Sequence, residues 1–195
     1  MTQLDVIHEA EPHGDTAPRR VEVGDQAPEF DGLLGVDGHR YGMADFSDAR
    51  ALVIIFTSNR CPTVNAYQER LRALQDDYGP RGVRMIAINS NAPHLYPDES
   101  FRRMVEFAQE SRYDFPYLCD ESQAVARAYG ARCTFHAFAL DEARVVRYQG
   151  RFDDSRIPDR VTSNDLRNAL DDILAGHEVR VASTRPFGCS LDYVA

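Results

Sequence analysis

Four cysteines stand in a chain of 195 residues, at positions 61, 119, 133 and 189. Cys61 is set apart by its neighbours. The apolar run Ala51-Leu-Val-Ile-Ile-Phe56 ends in a polar turn, Thr57-Ser-Asn-Arg60, and Cys61 is followed at once by Pro62. The next apolar positions, Val64, Tyr67, Leu71, Leu74 and Tyr78, are spaced by three and four, which predicts an amphipathic helix. Cys61 then stands at the first turn of that helix, where proline is tolerated. Free N–H groups and the positive end of the helix dipole stabilise an anion there, and Arg60 adds a full charge next door. Such settings lower a thiol pKa from about 8.5 to roughly 3.5–7.5. The thiolate is the nucleophile, so the predicted chemistry is thiol redox chemistry. The rival reading of the same residues is a buried, inert cysteine at a tight turn.

Turnover by thiol exchange passes through a mixed disulfide and needs a second thiol. Cys189 lies in Arg185-Pro-Phe-Gly-Cys189, on a terminal tail. That tail can carry a resolving thiol to the site, or it can anchor Phe187 and Leu191 on the sheet. Cys119, after the short apolar segment Pro116-Tyr-Leu, reads as core. Cys61, Cys133 and His136 supply ligand types that suit a soft metal, but their spacing matches no standard zinc site. No metal and no cofactor is expected.

The elements around these residues follow from periodicity. Phe30 to Tyr41 predicts a hairpin turned at Asp37-Gly38, a dipeptide that tolerates positive φ. Ala51–Thr57 suits a strand buried on both faces. The helix through Val64 and Tyr78 is stopped by Gly79-Pro80. Val83–Ile88 is the next strand, followed by a helix from about Asp98. A short strand at 115–118 and a short helix at 122–129 come next. His136–Leu140 and Val145–Tyr148 form a second hairpin, and a last helix spans about 163–175, capped by Thr162 or Ser163. Strand–helix alternation gives a parallel core, and the hairpin adds an antiparallel edge. The acidic stretch Phe152-Asp-Asp-Ser-Arg-Ile-Pro-Asp159 lacks the pattern of a calcium loop. It reads as a solvated loop with Asp153 or Asp154 paired to Arg156.

Composition narrows the classes. Hydrophobic residues make up 43% and charged residues 27%, as in an ordinary globular domain. A net charge of −9 argues against binding nucleic acid or an anionic membrane, which need a positive surface. All 22 basic residues are arginine, so lysine-based chemistry is excluded. No apolar run approaches the ~20 residues of a membrane span, and the first residues do not read as a signal peptide. The expectation is a cytoplasmic protein with reduced thiols. Residues 1–20 read as a flexible arm, and residues 21–195 as one domain.

Phe56-x-x-x-x-Cys61-Pro resembles the active-site segment of the thioredoxin-like superfamily, and more narrowly its redoxin branch, related to alkyl hydroperoxide reductase and thiol-specific antioxidant proteins. The segments Gly24-Asp-Gln-Ala-Pro-Glu-Phe30, Ala87-Ile-Asn-Ser-Asn91, Phe115-Pro-Tyr-Leu-Cys-Asp-Glu-Ser122, Phe152-Asp-Asp-Ser-Arg156 and Gly188-Cys189-Ser extend the likeness from about Val21 to Asp192. The resemblance implies an α/β thioredoxin-like fold: a mixed sheet flanked by helices, with an N-terminal hairpin extension and a C-terminal tail. It places Ser58 at the hydroxyl position of the peroxiredoxin motif, and Cys133 just before the loop that faces the active cysteine. It makes Thr134 and Phe135 part of the substrate groove. Three positions depart from the patterns. Val64 stands where thioredoxins have their second cysteine, Ile54 replaces the peroxiredoxin proline, and Phe135 takes the place of the cis-proline. A cis bond before phenylalanine costs about 2.5–4 kcal/mol, so a trans bond is expected.

The reading is therefore a thiol-dependent oxidoreductase, acting by thiol–disulfide exchange or peroxide reduction. Cys61 attacks, with Pro62 setting the helix start and Arg60 lowering the pKa. Ser58 or Thr57 bonds the sulfur or a bound oxygen, and Cys189 or Cys133 resolves. Its partners would be a thiol donor, a disulfide-bearing protein or a peroxide. The alternative is a non-catalytic binding module that has lost the second active-site cysteine and the cis-proline.

Overall fold

The structure, a computed structural model, describes residues 20–194. The arm expected over residues 1–20 lies outside them, apart from Arg20. The elements in chain order are β1 (Leu33–Gly35), β2 (Arg40–Tyr41), β3 (Ala51–Thr57), α1 (Pro62–Tyr78), β4 (Val83–Asn89), α2 (Phe101–Glu110), β5 (Tyr117–Cys119), α3 (Ala124–Tyr129), β6 (His136–Asp141), β7 (Val146–Gly150) and α4 (Asp165–Leu174). The strands form one sheet in the order β2-β1-β5-β4-β3-β6-β7. β3 pairs in parallel with β4, and β4 with β5, while β6 runs antiparallel to both β3 and β7. The first hairpin turns at Asp37-Gly38, with Gly38 at φ 85°.

All seven residues of β3 are buried because both faces of the sheet are covered. Successive side chains point to opposite faces. Val53 and Ile55 join the core built with Val64, Tyr67 and Leu71 of α1, Met104 of α2 and Leu166 of α4. Leu52, Ile54 and Phe56 join the other, with Phe30, Phe46 and Val125, Ala126 and Tyr129 of α3. A continuous apolar run, rather than an alternating one, is what such a central strand requires.

Three local expectations need correction. The second helix begins at Phe101 rather than near Asp98: Pro97–Glu99 forms a 3-10 turn, and Ser100 is extended at ψ 152°. The last helix begins at Asp165, with Asn164 at its N-cap and no side-chain cap bond. Thr162 is instead held by Asp154, through its backbone N–H at 2.8 Å and its hydroxyl, and the Ser163 hydroxyl bonds Asp165. Finally, the acidic stretch is not simply solvated. Asp153 is 1% exposed. It pairs with Arg70 and accepts the Tyr67 hydroxyl at 2.5 Å, tying the stretch to α1. Among the described residues, Arg156 supplies only its carbonyl, to Arg70.

Beyond α4 the chain returns over the sheet end. Isolated bridges join Ser183 to Gln149 and Ser190 to Cys133, and Val179 and Leu191 are buried. Among the described residues, no helix is long and apolar enough to cross a membrane.

Candidate active site

The carboxyl ends of β3, β4 and β5 converge where the polar turn enters α1. Crevices at the carboxyl ends of parallel strands are where open α/β sheets bind ligands. Here the turn is tied down by a carboxylate. Glu99, 4% exposed, accepts the Ser58 hydroxyl at 2.5 Å, the Asn59 N–H at 2.9 Å and the Asn89 side-chain amide at 2.9 Å. Ser58 Oγ accepts the Arg60 N–H, and Tyr117 donates its hydroxyl to the Asn59 side chain at 2.8 Å. The loop 58–60 thus has one shape, and that shape delivers Cys61 to the N-cap of α1, with Pro62 at the first helical position.

The sulfur of Cys61 lies 2.7 Å from the sulfur of Cys189 and accepts the Thr134 hydroxyl at 3.0 Å. Thr134 is bonded twice more: its Oγ1 accepts the Cys189 N–H at 3.0 Å, and its own N–H donates to the Cys189 carbonyl at 2.8 Å. Burial works against a charge on Cys61, yet donation from the Cys189 thiol, the Thr134 hydroxyl and the backbone N–H groups of Val64 and Cys189 outweighs it. The thiol is held below its usual range. The other sulfurs move the opposite way. Burial, then the bond to Cys61 and its charge, push Cys189 up to about 11. Burial, followed by neighbouring negative charge, brings Cys119 and Cys133 to about 11 as well. Cys61 is thus the one of the four cysteines whose thiol is shifted towards the anion rather than away from it.

Of the two candidate partners, the structure brings Cys189 to Cys61. Cys133 is buried, on the strand edge that receives the tail. Ser58 lines the same cavity as Cys61, but its hydroxyl donates to Glu99 rather than to the sulfur. The Thr57 hydroxyl is buried without a hydrogen-bond partner. Thr134, expected only as groove lining, takes the role assigned to those two. Arg60 lies with its guanidinium 4.6 Å over the Tyr96 ring, and its charge acts on Cys189 rather than leading the effects on Cys61. Phe135 is not a groove residue. It is 2% exposed, and its ring packs 4.4 Å from that of Tyr67. Its φ of 67° is a costly conformation for a bulky side chain, held by aromatic packing and by donation of its N–H to Phe56. No peptide bond among the described residues is cis. Glu99 was invisible as a site residue in the sequence, and Thr134 was expected in the groove but not as a partner of the sulfur. A buried carboxylate has no local signature, and Thr134 acts through contacts across 55 and 73 positions.

Tyr96, Asn91, Glu99, Ser190 and Asp192 join the sulfur pair around a cavity of about 440 Å³. Among the described residues, no group of three or more His, Cys, Asp or Glu side chains is placed to hold a metal ion. His136, beside Cys133, is buried against Phe138, which pushes its pKa down to about 4.

A mixed seven-stranded sheet with a cysteine at the N-cap of the helix after its central strand defines a thioredoxin-like protein. The Redoxin family profile matches residues 22–170, and the chain belongs to that family. Over 110 residues it is 26% identical to the peroxiredoxin Bcp of Escherichia coli K12, a match covering 56% of this chain and 65% of that protein. Two solved structures match this chain over most of its length. One is a hypothetical protein from Sinorhizobium meliloti 1021, 38% identical with a TM-score of 0.84, covering 91% of this chain and 97% of the other. The second is an uncharacterized conserved protein from Geobacillus kaustophilus, 40% identical with a TM-score of 0.82, covering 89% and 93%.

Proposed function

We propose that this chain is a thiol-dependent oxidoreductase in which Cys61 is the attacking thiolate and Cys189 the resolving thiol. The observation that carries the reading is the 2.7 Å approach of the two sulfurs under the Thr134 hydroxyl. A disulfide bond is about 2.05 Å long, so closing it asks for a shift of well under 1 Å. The kinship with a peroxiredoxin supports peroxide as the oxidant.

The electrons balance without a cofactor. The Cys61 thiolate attacks one peroxide oxygen and becomes a sulfenic acid, and the leaving alkoxide or hydroxide takes a proton to give an alcohol or water. Loss of the Cys61 charge removes an influence that held Cys189 protonated. The Cys189 thiol then gives up its proton, its sulfur attacks the sulfenic sulfur, and hydroxide leaves as water. Two external thiols restore the dithiol and are themselves joined as a disulfide. Cys133 and Cys119, held protonated by burial, stay out of the cycle.

The test is oxidation with one equivalent of hydrogen peroxide, alkylation and peptide mass spectrometry. The expected product is a Cys61–Cys189 disulfide that dithiothreitol reverses. Cys189→Ser should stop at a sulfenic acid on Cys61 that dimedone traps, and Cys61→Ser should consume no peroxide. A Cys61 that stays free while other cysteines pair would sink the assignment and leave a non-catalytic module.

A further inference from the structure

The tail that brings Cys189 also closes the site. Cys61 is 1% exposed. The backbone edge at 133–134 is already taken, by the Ser190 bridge to Cys133 and by the exchange of bonds between Cys189 and Thr134. Gly188 passes so close that a Cβ there would sit 1.9 Å from the Thr134 carbonyl oxygen. Only glycine lets the tail lie this deep.

Residues on both sides strap this segment down. Gln123 is fully buried at φ 60°, a conformation glutamine seldom adopts. Its side-chain amide donates to Ser90 O at 2.8 Å and Asp192 O at 2.9 Å, and its carbonyl accepts the Val194 N–H at 2.9 Å. Arg127 bonds the Val194 carbonyl and lies 4.7 Å over the Tyr193 ring, whose hydroxyl donates to Ala131. Across the mouth, Tyr96 donates to Asp192 while carrying Arg60 on its face. What remains open is the cavity of about 440 Å³, within the roughly 300–1,000 Å³ of small-molecule sites.

We propose that the strapped segment 188–194 is a size filter, with Gln123 and Arg127 its specificity-determining residues: it admits small oxidants such as hydroperoxides to Cys61 and bars disulfides carried on polypeptides. The inference rests on Cys61 being the attacking thiolate. A polypeptide disulfide must bring its flanking chain up to the sulfur it exchanges with, and here that space and the backbone edge are filled by this chain's own tail. A hydroperoxide needs only a few atoms of room, and the cavity supplies it.

The experiment uses full-length Cys189→Ser, in which the product of Cys61 cannot be resolved internally, with the native tail and with Gln123→Ala or Arg127→Ala added. Rates of Cys61 modification are measured with hydrogen peroxide and with insulin as the polypeptide disulfide. With the native tail, insulin should react at least 100-fold more slowly than peroxide. Each strap variant should raise the insulin rate at least tenfold and leave the peroxide rate within twofold. Arg127 is exposed, so its variant keeps the test alive if Gln123→Ala fails to fold. Equal insulin rates with and without the straps, or equal acceleration of both oxidants, would overturn the filter. A Cys61 that reacts with neither reagent in any variant would instead overturn the catalytic reading beneath it.

Discussion

The turn that carries Cys61 and the tail that carries Cys189 arrive at the same point by different physics. The turn is four residues long and is fixed from inside, by one buried carboxylate that gathers bonds from Ser58, Asn59 and Asn89. The tail is held at scattered points, by Thr134, by Gln123 and Arg127, by β7 and by Tyr96, with Leu191 alone among its last four described residues buried. A nucleophile needs a rigid mount, since its pKa depends on donors held at fixed distances. The proposed resolving thiol has only a fraction of an ångström to travel to close a bond to its partner. The two sulfurs differ accordingly: one held low by donated hydrogen bonds, the other raised to about 11 by burial and by its neighbour's charge.

Breaking the turn should have the larger effect. Glu99→Ala removes three hydrogen bonds to a buried carboxylate and strands the Asn59 and Asn89 donors. Bonds to charged groups are worth ~1.5–3 kcal/mol each, so a loss of about 3 kcal/mol or more is expected. Urea unfolding measures it. A loss below about 1 kcal/mol would mean that the turn holds its own shape without Glu99.

The floor beneath the tail is tested by acid. His136 opens β6, next to the edge that receives Ser190, and its pKa is pushed from 6.5 to about 4 by burial first and the Arg132 charge second. Between these values the unfolded chain binds a proton that the folded chain does not. Stability is therefore lost as pH falls from about 6.5 towards 4, by up to about 3 kcal/mol. Denaturation midpoints from pH 7 down to pH 4.5 should show this limb, and His136→Phe should flatten it. An unchanged limb in the variant would assign it to other groups.

The smallest effect comes from the residue that joins the two regions. Thr134→Val keeps the shape but removes the hydroxyl that donates to Cys61 and accepts from the Cys189 N–H. The Cys61 pKa should rise, and its alkylation by iodoacetamide at pH 7 should fall several-fold, with the rate recovering as pH is raised. Thr134→Ser should restore it. A rate at pH 7 that does not move would leave the Cys189 thiol and the backbone N–H groups of Val64 and Cys189 as the sources of the lowered pKa.

The sequence by itself determined β3, α1 and the position of Cys61 between them. An uninterrupted apolar run, a polar turn, a proline and a three-four spacing are local signals, and burial on both faces of a central strand leaves them little freedom. The second hairpin was legible for similar reasons, and the trans bond before Phe135 followed from the cost of a cis one. The starts of α2 and α4 were not, because a 3-10 turn at Pro97 and the bonds of Asp154 to Thr162 compete with the expected caps. Only the tertiary structure decided which thiol faces Cys61, which hydroxyl bonds it and that Glu99 shapes the turn. Each of those facts rests on contacts between residues 40 to 128 positions apart, and no local pattern encodes a distance across the sheet. The same holds for Arg60: adjacency in the chain suggested a charge beside the sulfur, but the ring of Tyr96 offers the guanidinium a better seat.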